Sequence, residues 1–188
     1  AYEIMPSLVG SEMCIRDRSK AMGTNDPLER SYMAIREVHE ASLLAPTDAD
    51  INYYKQISTL EFLDLLHAEY DELLRSAKPK RLLSKARLAV ELRPKVPFAQ
   101  ELLGVTLLKL GEYDKSVPPL EAAARLKPND FNYLSNLAFA YEQTRLYQKA
   151  LETLELATKA NPDALSALGT ATDRVKKKLD EEGITSAR

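Results

Sequence analysis

The stretch PFAQELLGVTLLKLGEYDKSVPPLEAAARLKP occupies residues 97–128, and FNYLSNLAFAYEQTRLYQKALETLELATKANP occupies residues 131–162. The second stretch begins 34 residues after the first. Each contains two runs of apolar residues at helical spacing, separated by a short break. Two helices in each 34-residue period predict stacked helix hairpins, because a single hairpin cannot bury its apolar face without a neighbour.

The same interval recurs at prolines and at small residues. Pro94, Pro128 and Pro162 each follow a predicted helix and lie 34 residues apart. Small side chains are expected where the two helices of a hairpin cross closely, and alanines where the next repeat approaches. The positions in register are Leu103 and Leu137, Gly104 and Ala138, Leu107 and Tyr141, Tyr113 and Tyr147, Ser116 and Ala150, Leu120 and Leu154, and Ala89, Ala123 and Ala157.

This pattern resembles the tetratricopeptide repeat family over residues 63–181, and most closely over 97–162. It departs from the family at Glu69 and Leu82, where an apolar and a small residue are expected. The resemblance implies an all-α fold. It would be an α-solenoid of antiparallel helix hairpins with about two to three repeats and a C-terminal capping helix.

Helix boundaries follow from caps, prolines and glycines. Asp26 and Pro27 predict the start of a helix that reaches about Leu44. A short helix over 47–57 is expected next, and Ser58 with Glu61 forms a capping-box pattern that predicts another start. That helix would reach about Ala77, and the remaining helices are predicted at 80–93, 97–110, 112–127, 131–144, 147–160 and 163–181.

Part of the repeat spacing also occurs upstream of the repeats. Ala34, Ala41 and Pro46 repeat the spacing of the later alanines and proline. The N-terminal helices of 26–62 can therefore be read as the remnant of an earlier repeat followed by an insertion.

The two ends of the chain have no helical pattern. Residues 1–18 are interpreted as a non-native or disordered leader, and 182–188 as a disordered tail. Within the leader, EIMPSLVGSEMCIRDR at 3–18 resembles a translated sequencing adaptor, in which case Cys14 is not native.

Composition argues against several classes of function. Among 188 residues, Lys and Arg number 26 and Asp and Glu number 28, so no basic excess suggests a nucleic-acid partner. No apolar run approaches the roughly 18 residues that span a bilayer. The basic run Lys176–Lys178 could contact nucleic acid, but a solvated face of the capping helix is the preferred interpretation.

The resemblance implies that the first helix of each hairpin lines a concave face, which in relatives holds peptides or helices. Carboxylates around an apolar centre would suit a partner with apolar anchors and some Lys or Arg. The alternative is that the apolar members only pack within the chain. The predicted groove residues are Asp64, His67, Asp71, Phe98, Glu101, Val105, Leu108, Asn132, Ser135, Asn136, Phe139, Glu142 and Gln143.

One subtype of the family grips the carboxylate of an acidic C-terminal tail with Lys, Arg and Asn residues. Asn136 fits that pattern. Glu101, Val105 and Ser166 stand where basic or amide residues are wanted, so acidic tails are not expected as ligands.

Asp64, His67 and Asp71 follow one another at helical spacing and could in principle bind a metal or perform acid–base chemistry. No fourth ligand is evident, so a polar groove wall is the preferred interpretation. We expect no catalytic residues, metal or cofactor.

The predicted function is a protein–protein interaction scaffold that binds a peptide or helix through the concave face. Two alternatives stay open. The array could be an accessory domain of a larger enzyme or envelope-assembly protein, or the hairpin faces could mediate self-association.

Overall fold

The structure is a computed structural model that describes residues 25–75, 79–181 and 183. Every regular element in these ranges is a helix, which confirms the all-α prediction. The chain divides into two compact units, Ala1–Ser76 and Ala77–Arg188.

The predicted leader, including Cys14, lies outside the described residues, as does the predicted tail except for Gly183. The assignment of 26–62 to N-terminal helices and of 63–181 to a repeat domain stays a prediction.

The first unit contains α1 (Pro27–Leu44), α2 (Ala49–Ala68) and α3 (Tyr70–Arg75). The predicted start of α1 is confirmed: the Asp26 carboxylate accepts the backbone N–H of Leu28 at 2.9 Å, and Pro27 occupies the first turn. The α1 and α2 helices pack against each other and bury the Phe62 side chain completely.

The prediction of two separate helices over 47–57 and from Ser58 onward is wrong. The α2 helix is continuous through Ser58 and Glu61, and Asp48 caps it by accepting the Ile51 N–H at 3.0 Å. Its buried residues Ile51, Thr59, Phe62 and Leu66 lie on one side along its whole length, so packing favours a single helix over the local capping signal.

The second unit contains six helices in its described residues: α4 (Pro79–Leu92), α5 (Pro97–Lys109), α6 (Tyr113–Leu126), α7 (Phe131–Gln143), α8 (Tyr147–Ala160) and α9 (Leu165–Glu181). Consecutive helices pack against each other, and α5 also contacts α7. Turns of three residues join α5 to α6 and α7 to α8, so each pair is an antiparallel hairpin. The predicted boundaries agree to within one residue or two.

The predicted close crossings between hairpin helices are confirmed. Gly104, Ser116, Ala138 and Ala150 are all buried. A methyl group added at Gly104 would lie against Leu120 Cγ and 2.7 Å from its Cδ2 atom. The α5 and α6 backbones therefore approach at a distance that only glycine allows without a shift of Leu120.

The turns of the two hairpins have the same geometry one period apart. Gly111 and Arg145 both adopt positive φ, at 76° and 61°. In each turn the following N–H bonds back to the last turn of the first helix, Glu112 to the Leu107 carbonyl and Leu146 to the Tyr141 carbonyl. The turn geometry is therefore repeated even where glycine is replaced by arginine.

The last helix, α9, begins later than predicted. Pro162–Ala164 forms a 3₁₀ turn, and α9 starts at Leu165, whose side chain is 61% exposed. The apolar spacing of the sequence predicts one stripe along this helix, made of Leu165, Leu168, Ala171, Val175 and Leu179, opposite a face with Asp173, Lys176, Lys177 and Asp180. For Leu165 this prediction is wrong, because the buried part of the stripe begins only after the first turn. Leu168, Val175 and Leu179 are buried as predicted, and Asp173, Lys176, Lys177 and Asp180 are exposed.

We expect Gly104→Ala to destabilise the second unit by about 1–3 kcal/mol, because the new methyl group overlaps the buried Leu120 side chain. Gly169→Ala in α9 is the matched control, because a methyl group added there would have no neighbouring atom within 4 Å. This change should raise the free energy of unfolding by up to about 1 kcal/mol, since alanine has a higher helix propensity than glycine. Urea unfolding of both variants measures the difference. Equal effects of the two changes would contradict the proposed close crossing.

Candidate binding surface

The predicted groove residues of the second unit lie on α5 and α7, the first helices of the two hairpins, and we call this set the first-helix surface. It consists of Phe98, Glu101, Val105 and Leu108 on α5 and of Asn132, Ser135, Asn136, Phe139, Glu142 and Gln143 on α7. These helices contact each other. Residues at equivalent positions, such as Val105 and Phe139, lie one 34-residue period apart.

The apolar members of this surface differ in exposure. Val105 and Leu108 are half-buried and pack against the core cluster of the second unit. Phe98 is also half-buried. Phe139 stands apart, because 44% of it is exposed. The alternative that these residues only pack within the chain therefore fits Val105 and Leu108 better than it fits Phe139.

The amide side chains are placed around Phe139. Asn132 is exposed and Gln143 is half-buried. Asn136 donates a hydrogen bond from Nδ2 to Glu101 Oε1 at 2.9 Å. This bond joins α5 to α7, so Asn136 and Glu101 hold the two helices in register.

Glu101 and Glu142, predicted among the carboxylates around an apolar centre, do not form an exposed acidic rim. Glu101 is buried and accepts the bond from Asn136. The Glu142 side chain is only 3% exposed. Neither carboxylate faces water, so neither can act as a surface charge for a basic partner.

Glu142 is held by two cations of α9. Arg174 donates from Nε to Oε1 and from Nη2 to Oε2, both at 2.7 Å, and Lys178 Nζ lies 2.7 Å from Oε1. A bidentate guanidinium with a second donor satisfies a buried carboxylate well. Since two cations surround one anion, the cluster of Glu142, Arg174 and Lys178 carries one net positive charge.

These contacts shift the acid–base properties of the groups. The hydrogen bond from Arg174, supported by Lys178, lowers the pKa of Glu142 below its ordinary 4.5 even though burial opposes this. The same bond raises the pKa of Arg174. Burial, with the charges of Glu101 and Asp130, raises the pKa of Tyr133 to about 12.

A second polar contact fixes α7 from its other side. Tyr141 donates its hydroxyl proton to Glu121 Oε1 of α6 at 2.6 Å. The Lys149 Nζ atom lies 5.5 Å from the centre of the Tyr141 ring. Burial first, and then the bond to Glu121, raises the pKa of Tyr141. The helix that carries Phe139 is therefore oriented by its neighbours on three sides.

Sequence reasoning missed Arg174 and Lys178 as partners of Glu142. The sequence pattern does not single out Arg174, and it predicts that Lys178 lies on a solvated face of the capping helix. They lie 32 and 36 residues after Glu142, close to one repeat period. A search for opposite charges about one period apart would have found them, because successive first helices are neighbours in a hairpin stack.

The remaining predicted groove residues belong to the first unit. Asp64, His67 and Asp71 are all exposed. The expectation that they share one helical face is wrong, because α2 ends at Ala68 and Asp71 lies in the separate helix α3. Among the described residues, no group of three or more His, Cys, Asp or Glu residues could hold a metal ion.

Stacked hairpins with a constant period and a shared first-helix surface define an α-solenoid. Residues 101–164 match the tetratricopeptide repeat family model.

Two curated proteins are similar to part of this chain. Phagocyte signaling-impaired protein of Drosophila pseudoobscura pseudoobscura is 30% identical over 109 residues, which is 58% of this chain and 11% of that protein. Superkiller complex protein 3 of Homo sapiens is 36% identical over 62 residues, 33% of this chain and 4% of that protein. The chain thus spans a small fraction of the curated relatives it matches.

Solved structures show the same fold. The tetratricopeptide domain of P58(IPK) has a TM-score of 0.56 at 18% identity, covering 91% of this chain and 52% of its own. YrrB has a TM-score of 0.52 at 21% identity, and the match covers 86% of this chain and 92% of YrrB. The MamA RS-1 double mutant has a TM-score of 0.52 at 20% identity, and the match covers 88% of this chain and 83% of the MamA chain.

A search of the described helices for a segment long and apolar enough to cross a bilayer found none. The expectation that nucleic acid is not a partner stays a prediction, and so does the possibility of self-association.

We expect Glu142→Gln to lower the free energy of unfolding by about 1–3 kcal/mol near neutral pH, because it weakens the bonds to Arg174 and Lys178. A carboxylate with a lowered folded-state pKa contributes stability above its unfolded pKa and loses it as the pH falls through the folded value. The difference between wild type and variant should therefore shrink below about pH 4.5.

Chemical unfolding over a pH series measures this difference. Glu155→Gln is the matched control, since Glu155 is exposed on α8. It should change the free energy of unfolding by no more than about 0.5 kcal/mol. If Glu142→Gln lowers the free energy of unfolding equally at acidic and neutral pH, the stabilising role of the Glu142 charge is contradicted.

Proposed function

We propose that this chain is a protein–protein interaction scaffold that binds a peptide or helix of a partner on the concave face formed by the first helices of its hairpins. The observation that carries the proposal is the exposure of Phe139 at the centre of the first-helix surface. An exposed aromatic ring on a rigid helix is a typical anchor for a binding partner.

The surroundings of Phe139 suit a peptide. Exposed Asn132 and half-buried Gln143 lie on the same helix, and side-chain amides can both donate to and accept from a peptide backbone. The half-buried Val105, one period earlier, extends the apolar area on the neighbouring helix. An apolar side chain of the partner would cover Phe139 while the amides fix the direction of its backbone.

The rigidity of the surface supports binding without a large ordering cost. Glu101 with Asn136, and Glu142 with Arg174 and Lys178, tie successive first helices together. A preorganised surface loses less conformational entropy when a ligand binds. The solved structure of YrrB is described as that of a tetratricopeptide protein with an unusual peptide-binding site, which supports a peptide ligand for a chain of this fold.

The proposal is one of binding rather than catalysis. Glu101 and Glu142, the acidic residues of the first-helix surface, are engaged in hydrogen bonds within the chain. Asp64, His67 and Asp71 in the first unit are exposed and divided between two helices. Their predicted role as a polar groove wall stays a prediction.

We expect Phe139→Ala to weaken binding of a partner about tenfold or more, as truncation of an aromatic anchor typically does. Leu156→Ala is the matched control, because Leu156 is 51% exposed but lies on α8, a second helix. Affinity capture from a lysate with wild type and both variants, followed by quantitative mass spectrometry, identifies partners that depend on Phe139 alone.

Partners retained equally by all three proteins, or lost equally in both variants, would count against the first-helix surface. The melting temperature of each variant checks that the fold is intact.

A second candidate is that the array is an accessory domain of a longer protein. The relatives it matches are much longer, since the chain spans 11% and 4% of their lengths. The genomic reading frame around the repeat tests this proposal, because a second domain would appear in the same frame. A frame that encodes the repeats alone would contradict it.

A further inference from the structure

The α2 helix of the first unit leaves three large apolar side chains in water. Tyr53 is 59% exposed, Ile57 42% and Leu60 52%. Steps of four and then three residues separate them, so they form one stripe along the helix. Phe62 and Leu66, on the opposite side of α2, are fully buried. We call the exposed stripe the α2 seam.

The spacing of the seam indicates what could cover it. Apolar residues at alternating steps of four and three are the pattern with which one helix packs along another, each side chain entering a gap between side chains of its partner. An extended peptide would instead require a period of two. Single exposed apolar residues are common, but an aligned set of three marks an interaction surface.

The Asp, Glu, Lys and Arg side chains that α2 itself carries beside the seam are all carboxylates. Asp50, Glu61 and Asp64 are exposed carboxylates on the same side of α2 as the seam. Lys55, the single lysine of α2, donates instead to Ser42 Oγ of α1 at 2.9 Å. The potential along the exposed side of α2 is therefore negative, and it favours a partner with lysine or arginine at its flanks.

We propose that the α2 seam docks an amphipathic helix of a partner protein, with apolar residues at three- and four-residue steps and basic residues on either side. This inference goes beyond the proposed function and does not depend on it, because Phe139 and the first-helix surface belong to the other unit.

The same charges argue against the two other occupants of an apolar stripe. A second copy of this chain would bring Asp50, Glu61 and Asp64 against their own counterparts, and like charges across an interface repel. An anionic membrane surface attracts helices whose polar flanks are basic, whereas those of α2 are acidic.

A pair of synthetic helical peptides tests the proposal with the intact chain. Both have leucine at the a and d positions of about three heptads. One carries lysine at the flanking e and g positions and the other carries glutamate. Fluorescence anisotropy should show that the lysine peptide binds at least about tenfold more tightly, with an advantage that shrinks as salt is added.

Ile57→Lys should weaken binding of the lysine peptide about tenfold or more, because it places a charge in the centre of the seam. Leu156→Lys, a change at a similarly exposed leucine of α8, should leave the affinity unchanged. Since Ile57 is exposed, circular dichroism melting of the variant should match that of wild type.

A charge reversal distinguishes specific docking of the basic helix from nonspecific hydrophobic binding. The double change Glu61→Lys and Asp64→Lys should reduce binding of the lysine peptide and improve binding of the glutamate peptide. Equal binding of both peptides to wild type, or binding that survives Ile57→Lys, would overturn the proposal.

Two further results would also overturn it. If sedimentation shows that the wild-type chain is a dimer and that Ile57→Lys dissociates it, the seam is assigned to self-association. Peptide binding abolished by Phe139→Ala and retained by Ile57→Lys would assign it to the first-helix surface. Conversely, peptide binding that is lost with Ile57→Lys and retained with Phe139→Ala supports the seam. That result holds whether or not the proposed function of the second unit is correct.

Discussion

The close approach of α5 and α6 at Gly104 is the contact on which the second unit depends. The absence of a side chain there lets Leu120 lie against the α5 backbone, and this fixes how near the two helices of the hairpin can come. The buried alanine at the equivalent position, Ala138, allows a similar approach between α7 and α8. A constant separation within hairpins is what allows successive hairpins to stack at a constant period, so that each covers the apolar face of its neighbour.

Polar bonds then fix the first helices relative to one another. The Asn136 bond to Glu101 links α5 to α7, and the Arg174 and Lys178 bonds to Glu142 link α7 to α9. Both carboxylates are buried, so their charges serve the framework and not the surface. As a result the first-helix surface presents an aromatic ring and amides, and Glu142 together with its two cations is net positive where the sequence suggested acidity.

The two units offer surfaces of different chemistry. The first-helix surface of the second unit combines Phe139 with amides, which suits recognition of a peptide backbone. The α2 seam of the first unit combines three aliphatic or aromatic side chains with carboxylates, which suits a basic helix. The two proposals together describe a scaffold that holds two segments at once, and these need not belong to the same partner.

The sequence by itself determined the period, the helix boundaries of the second unit and the positions that must be small, because all of these are set by residues close in the chain and repeat at a fixed interval. Only the tertiary structure decided that Glu142 is buried beneath Arg174 and Lys178, that Phe139 stays exposed, and that α2 continues through Ser58. Those outcomes depend on which faces meet when helices some 34 residues apart cross. Local propensity carries no information about that geometry.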